Sequence, residues 1–263
     1  MPLSSTRPAR VILYVLAFAL ILLAIASVGN PAEAVDNDCP AGWVALTYDD
    51  GPVPERTDAI LAALDLTGTR ATFFSVGRRV ARNPAVALAV ARRGHVITNH
   101  TWAHPDLTSL SDEEIVASVQ RTDVALRAIG IQPLRLLRPP FLSTDERVLD
   151  ALERAGFTQV LENLNPKDWS GISAAEIADR VVTAARDGSV IGLHDGGKEY
   201  EATAAATEVI VDRLTDDGFC FGVLDQDGNV VPPPARDTTT YDVPEKVVVD
   251  ENVWVRYFLT RAR

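Results

Sequence analysis

The sequence predicts an α/β fold: a β/α barrel of about seven parallel strands with its active site at the carboxyl ends of the strands. The first observation behind this is alternation. From Trp43 to Leu224, short β-rich runs alternate with helical patterns, and strands joined by crossover helices form a parallel sheet. The second is that polar clusters stand just after the strand ends, at Asp49–Asp50, His100–His104, Arg138, Asp168–Trp169 and His194. Contributions from so many strands converge more readily around a ring than along the edge of an open doubly wound sheet. The third is size. A chain of 263 residues, 47% hydrophobic and 23% charged, suits one large domain with a full core.

Residues 1–34 read as a signal peptide or an N-terminal membrane anchor. Arg7 and Arg10 precede the uncharged run Val11 to Val28, and Ala32-Glu33-Ala34 has the form of a cleavage site. The run is about 27 Å long as a helix, enough for either role. Both place the remaining chain outside the cytoplasm, secreted or in the cell envelope. Residues 35–225 then form the catalytic domain and 226–263 a C-terminal appendage, where Lys246 to Val249 and Val253 to Leu259 can pair as a β-hairpin.

In that domain Trp43 to Leu46 is the first strand. It delivers Asp49 and Asp50 to a tight loop that Gly51-Pro52 ends at once. Neighbouring residues leave a strand on opposite sides, so the two acids are free to do different jobs. Alone, the stretch reads as an ordinary acidic turn. Glu55 to Leu64 is helical, Ala71 to Val76 a strand and Pro84 to Arg93 a helix ended by Gly94. Val96 to Thr98 leads into His100–His104. Ser111 with Glu114 forms a capping box that opens a helix to Ile129. Leu134 to Leu137 runs into Arg138-Pro139-Pro140-Phe141, and Asp145 to Ala155 is a helix stopped by Gly156. Thr158 to Leu161 is a strand, Ala174 to Arg186 a helix, Val190 to Leu193 a strand, Glu201 to Leu214 a helix and Phe219 to Leu224 the last strand.

The formal net charge of −11 argues against nucleic acid or anionic lipid as a partner, since like charge repels. Contact with a membrane is expected only through the N-terminal segment, and the protein is expected to be a monomer. Cys39 precedes the first strand and Cys220 lies early in the last one. A closed barrel puts them at the same end of neighbouring strands, where an exported protein can bridge them. The alternative is a pair of buried free thiols.

His100 and His104 are four residues apart, which on a helical turn puts both imidazoles on one side, a spacing suited to a divalent metal. An Asp from another strand end completes a two-His, one-carboxylate set with open positions. Zinc suits those donors; non-haem iron uses the same types. His194 ends an apolar strand and is free to act as acid or base. Arg138 before two prolines is a rigidly placed guanidinium suited to a carboxylate, or an ordinary ion pair. His95 precedes its strand and reads as structural.

These residues resemble the polysaccharide deacetylase family (carbohydrate esterase family four, with chitin, peptidoglycan and acetylxylan deacetylases). Its five motifs match Thr47-Tyr48-Asp49-Asp50-Gly51-Pro52, His100-Thr101-Trp102-Ala103-His104, Arg138-Pro139-Pro140-Phe141, Asp168-Trp169 and Leu193-His194-Asp195, over about Trp43 to Leu224. The resemblance implies a distorted β/α barrel of seven strands. It implies that Asp50, His100 and His104 bind zinc or another divalent transition metal. Asp49 would be the general base paired with Arg138, and His194 the general acid oriented by Asp168. The backbone N–H of Phe141 would serve the oxyanion, with Trp169 and Leu193 among the substrate-binding residues. The implied activity is removal of acetyl groups from N-acetylated amino sugars of a polysaccharide. O-acetyl esterase action on xylan and a silent carbohydrate-binding relative are the alternatives. Tyr48 stands where Phe is commoner, Phe141 where Tyr is frequent, and Asn165 where an Asp often lies.

Overall fold

The computed structural model describes residues 39–234 of the chain. The N-terminal segment and the C-terminal hairpin expected from the sequence lie outside these residues. Among the described residues no helix is long and apolar enough to cross a membrane.

The elements alternate as expected: β1 (Gly42–Asp49), α1 (Arg56–Thr67), β2 (Thr72–Ser75), α2 (Gly77–Arg82), α3 (Pro84–Arg92), β3 (Val96–Asn99), α4 (Asp112–Ala128), β4 (Leu136–Leu137), α5 (Glu146–Arg154), β5 (Thr158–Gln159), α6 (Ala174–Ala184), β6 (Ser189–His194), α7 (Tyr200–Asp216), β7 (Phe219–Leu224) and β8 (Val230–Val231). Helix α4 begins with the capping box read from the sequence, Ser111 and Glu114 each accepting the other's backbone N–H. The two-turn helix α2 was not expected.

Strand β1 is the hub of the sheet. One edge pairs in parallel with β6, from Val44↔Ser189 to Asp49↔His194. The other edge is shared: β7 takes Gly42 to Ala45 and β2 takes Thr47 to Asp49. From β2 the parallel order continues through β3 and β4 to β5. Among the described residues no strand fills the gap between β5 and β6. The loop after β5 closes it, with Leu164 bridging Ile191, Gly192 N–H donating to the Leu164 carbonyl, and Asn163 and Leu164 N–H donating to the Val190 carbonyl. The distortion of the barrel is therefore local: one shared edge and one closure by loop. Strand β8 lies past the expected domain boundary at residue 225 and pairs antiparallel with β7.

Side-chain alternation along β1 sorts the interior. Val44, Leu46 and Tyr48 face the helices in the main core cluster, with Ile60, Leu64, Phe73, Ile177 and Ile210. Ala45 joins Phe74, Leu136, Val160, Val190 and Leu224 in a smaller cluster on the other face. Thr47 and Asp49 continue that inner face toward the carboxyl end, where the apolar filling gives way to polar groups. Both faces of the strand are covered, as parallel strands require. Cys39 and Cys220 form a disulfide with a Cα–Cα distance of 5.5 Å, at the opposite end of β1, where Trp43 and Cys220 are register partners.

Candidate active site

Strand register places the first two residues of the site. Asp49, the last residue of β1, is the partner of His194, the last residue of β6. Behind Asp49 lies Arg138, wholly buried just past β4. Its Nη1 donates to Asp49 Oδ1 at 2.9 Å and to Thr47 Oγ1 at 2.7 Å. The guanidinium carbon sits 4.1 Å from the Phe74 ring centroid, and Nε and Nη2 are buried without a hydrogen-bond partner. A rigidly held carboxylate at the floor of a pocket is the result.

Asp50 departs from strand geometry. Its φ of 81° is left-handed, so its side chain does not continue the alternation of β1. Both acids instead line the same cavity, about 470 Å³ in volume. The opposite-face expectation fails at this point because the strand has already ended.

Asp50 Oδ1 lies 3.5 Å from His100 Nε2 and 3.1 Å from His104 Nε2. The ligand atoms of the three residues are all within 4.8 Å of one another. Burial pushes the Asp50 carboxyl up, but when the two imidazoles are protonated their hydrogen bonds and charge outweigh it and hold the carboxyl far below its ordinary range. The His100 tautomer tests whether a cation fits. Its Nδ1 lies 2.8 Å from the Arg138 carbonyl oxygen, which can only accept, so Nδ1 carries the proton. In the neutral ring, Nε2 then turns a lone pair toward the Asp50 carboxylate. Two acceptors facing each other call for a cation between them, and the bond from Nδ1 to a backbone carbonyl that fixes the ring is typical of a metal-ligating histidine. The residues fit a divalent metal.

The histidines do not lie on a helical turn, contrary to the spacing argument. They flank a loop in which Thr101 (φ 66°) and His104 (φ 61°) are left-handed. Asn99 pins the loop, accepting Thr101 N–H and donating to the Val119 carbonyl of α4. The two rings meet edge to face at 4.9 Å.

Across the cavity, His194 Nδ1 is 2.8 Å from Asp168 Oδ1, while Asp168 Oδ2 accepts the His194 backbone N–H and the Thr203 hydroxyl. Burial would lower the His194 pKa, but the hydrogen bond and charge of Asp168 outweigh it and push the imidazole up to about 9. Trp169 is 55% exposed and lines the cavity, as does Phe141, 71% exposed, whose ring meets His104 edge on at 4.7 Å. Leu193 is different. It is fully buried in the core cluster beneath the site and is not among the lining residues. His95, read as structural, is buried beside Phe73 and accepts the Ala71 N–H.

Sequence reasoning missed Glu162 and gave Asp195 no role. Glu162 lines the cavity with its carboxylate 4.0 Å from Arg138 Nη1 and bonded to Asn165 Nδ2. Burial, and then the neighbouring Asp49, push its carboxyl up. Its only signal was its place, one loop position beyond a strand end like the other site residues.

The profile of the polysaccharide deacetylase family matches residues 36–160. The peptidoglycan-N-acetylglucosamine deacetylase of Bacillus cereus is 34% identical over 180 residues, covering 68% of this chain and 84% of that protein. The peptidoglycan-N-acetylmuramic acid deacetylase PdaC of Bacillus subtilis is 34% identical over 184 residues. That match takes in 70% of this chain but only 38% of PdaC, so the chain spans well under half of that relative's length. Among solved structures, a family 4 carbohydrate esterase from Streptomyces lividans in complex with acetate superposes with a TM-score of 0.68 at 32% identity, covering 73% of this chain and 98% of the other. A family 4 acetyl xylan esterase from Clostridium thermocellum, in complex with cobalt, gives a TM-score of 0.65 at 32% identity, with 69% and 88% covered.

Proposed function

The chain belongs to the polysaccharide deacetylase family, and from that premise we propose that it is a metal-dependent hydrolase acting outside the cytoplasm. It removes acetyl groups from N-acetylated amino sugars of a polysaccharide of the peptidoglycan or chitin type and releases acetate. The observation that carries this reading is the pairing of Asp49, backed by Arg138, with His194, held protonated by Asp168, across one cavity beside Asp50, His100 and His104. The uncharged apolar run near the N-terminus supports export.

Asp50, His100 and His104 would hold the metal, with zinc suited to their donors. When bound, the metal supplies Lewis-acid polarisation of the acetyl carbonyl and eases deprotonation of the attacking water. Asp49 accepts that water's proton, and Arg138 keeps the carboxylate aimed while it does so. The Phe141 backbone N–H meets the developing oxyanion. The imidazolium of His194 gives its proton to the departing nitrogen. An amine leaves poorly without that proton, so a histidine kept charged up to about pH 9 meets the need of amide cleavage. Trp169 and Phe141 flank the mouth and give sugar rings apolar faces to rest on.

Acetate release from N-acetylglucosamine oligomers and from acetylated xylan, measured before and after chelation, tests the reading. Preferential release from the amino sugar, lost with the metal and restored by zinc, is expected. Preference for xylan would make the enzyme an O-acetyl esterase. Oligosaccharide binding with no acetate from either substrate would make it a silent relative.

A further inference from the structure

Asp195 follows the acid His194, is 1% exposed, and has no part in the mechanism above. Its carboxylate is nevertheless fully engaged. Oδ1 accepts the Gly51 N–H at 2.8 Å and Oδ2 accepts the Thr57 hydroxyl at 2.6 Å. Its own N–H donates to the Asp49 carbonyl at 3.1 Å. Asp50 sits between those two anchors on the β1 turn, and Arg79 Nη1 holds its carbonyl at 2.6 Å. The fit is close enough that a Cβ added at Gly51 would overlap the Asp195 carboxylate, and one added at Gly196 would overlap Asp50.

A non-glycine residue keeps a left-handed conformation only where its surroundings over-determine it. For Asp50, with φ of 81°, the groups on both sides in sequence are fixed by one residue just past the end of a different strand, β6. We propose that Asp195 is a positioning residue for the metal. It holds the Asp49-Asp50-Gly51 turn so that the Asp50 carboxylate meets His100 and His104, and it registers that turn against the strand carrying His194. Thr57, on α1, is the third member: its hydroxyl accepts the Val53 N–H while donating to Asp195, which fixes the carboxylate's orientation. The inference rests on the metal-site reading above.

The test is zinc affinity, measured on the whole chain by competition with a chromophoric chelator, with melting of the metal-free protein alongside. Loss of an outer-shell partner typically weakens metal binding about 10–100-fold. Asp195→Ala is expected in that range. Asp195→Asn, which removes the charge and reverses the bond to Thr57, and Thr57→Val, which removes that bond, should fall between it and the wild type, and Thr57→Ser should match the wild type. If Asp195→Ala does not fold, Asp195→Asn and Thr57→Val decide. Unchanged zinc affinity in both, with only a lower melting temperature, would reduce Asp195 to a structural residue and overturn the proposal. A wild-type chain that binds no zinc would sink the metal reading, and this inference with it.

Discussion

One buried carboxylate, Asp168, holds His194 at two points, the ring Nδ1 and the backbone N–H, so the imidazole is both oriented and kept charged. The sign of the resulting pH dependence is fixed. The histidine's pKa is raised from 6.5 to about 9, so the stability gained from the pair is complete below about pH 6.5 and is lost as pH rises through 9. A general acid must be protonated, so kcat/KM is expected to fall on the alkaline side near pH 9. Asp168→Asn removes the compensating charge and should move that limb downward by about 1–3 units. A pH profile with an unmoved limb would refute the role. The residue types of this chemistry were legible in the sequence, because acids and histidines at strand ends converge in a parallel fold. Glu162 was not legible. A single glutamate after a strand has no companion in sequence, and its relation to Arg138 arises only when the loop after β5 closes the ring.

At the scale of elements, the alternation of strands and helices was readable and their lengths were not. Strands β4 and β5 pair over only two residues each, shorter than the runs Leu134 to Leu137 and Thr158 to Leu161 expected from the sequence. The His100–His104 spacing suggested a helical turn, and two left-handed residues do the work instead, which no apolar period encodes. Helix α2 begins at a glycine that reads as a strand stop. A Cβ at Gly77 would crowd Trp102 and the Thr122 side chain of α4, so the glycine serves close packing. Gly192 on β6 has the same logic at the barrel's closure, where an added Cβ would overlap the Glu162 carboxylate. Gly192→Ala is expected to destabilise the fold by about 1–3 kcal/mol through overpacking. Because the displaced group borders Asp49 and Arg138, acetate release should fall as well. Chemical denaturation together with an activity assay checks both.

For the whole molecule, seven parallel strands and the Cys39–Cys220 pairing both followed from the barrel expectation, because neighbouring strands bring distant cysteines together. The shared edge of β1 did not follow, since no sequence pattern says that two strands will divide one partner between them. With a sequence separation of 181, the disulfide contributes about 5 kcal/mol in the chain-entropy picture. For a domain of this size, reduction is then expected to lower the melting temperature on the order of 10 °C, and thermal scans with and without reductant measure it.

The same bond has a second consequence, for survival among proteases. Every residue from Asp49 to Asp195 that builds the site lies inside the loop that Cys39 and Cys220 close. A single cut anywhere between them leaves two segments still joined as one covalent molecule. When the cut falls between β1 and β6, their two segments would stay tethered to each other at the end of β1 remote from the catalytic pocket.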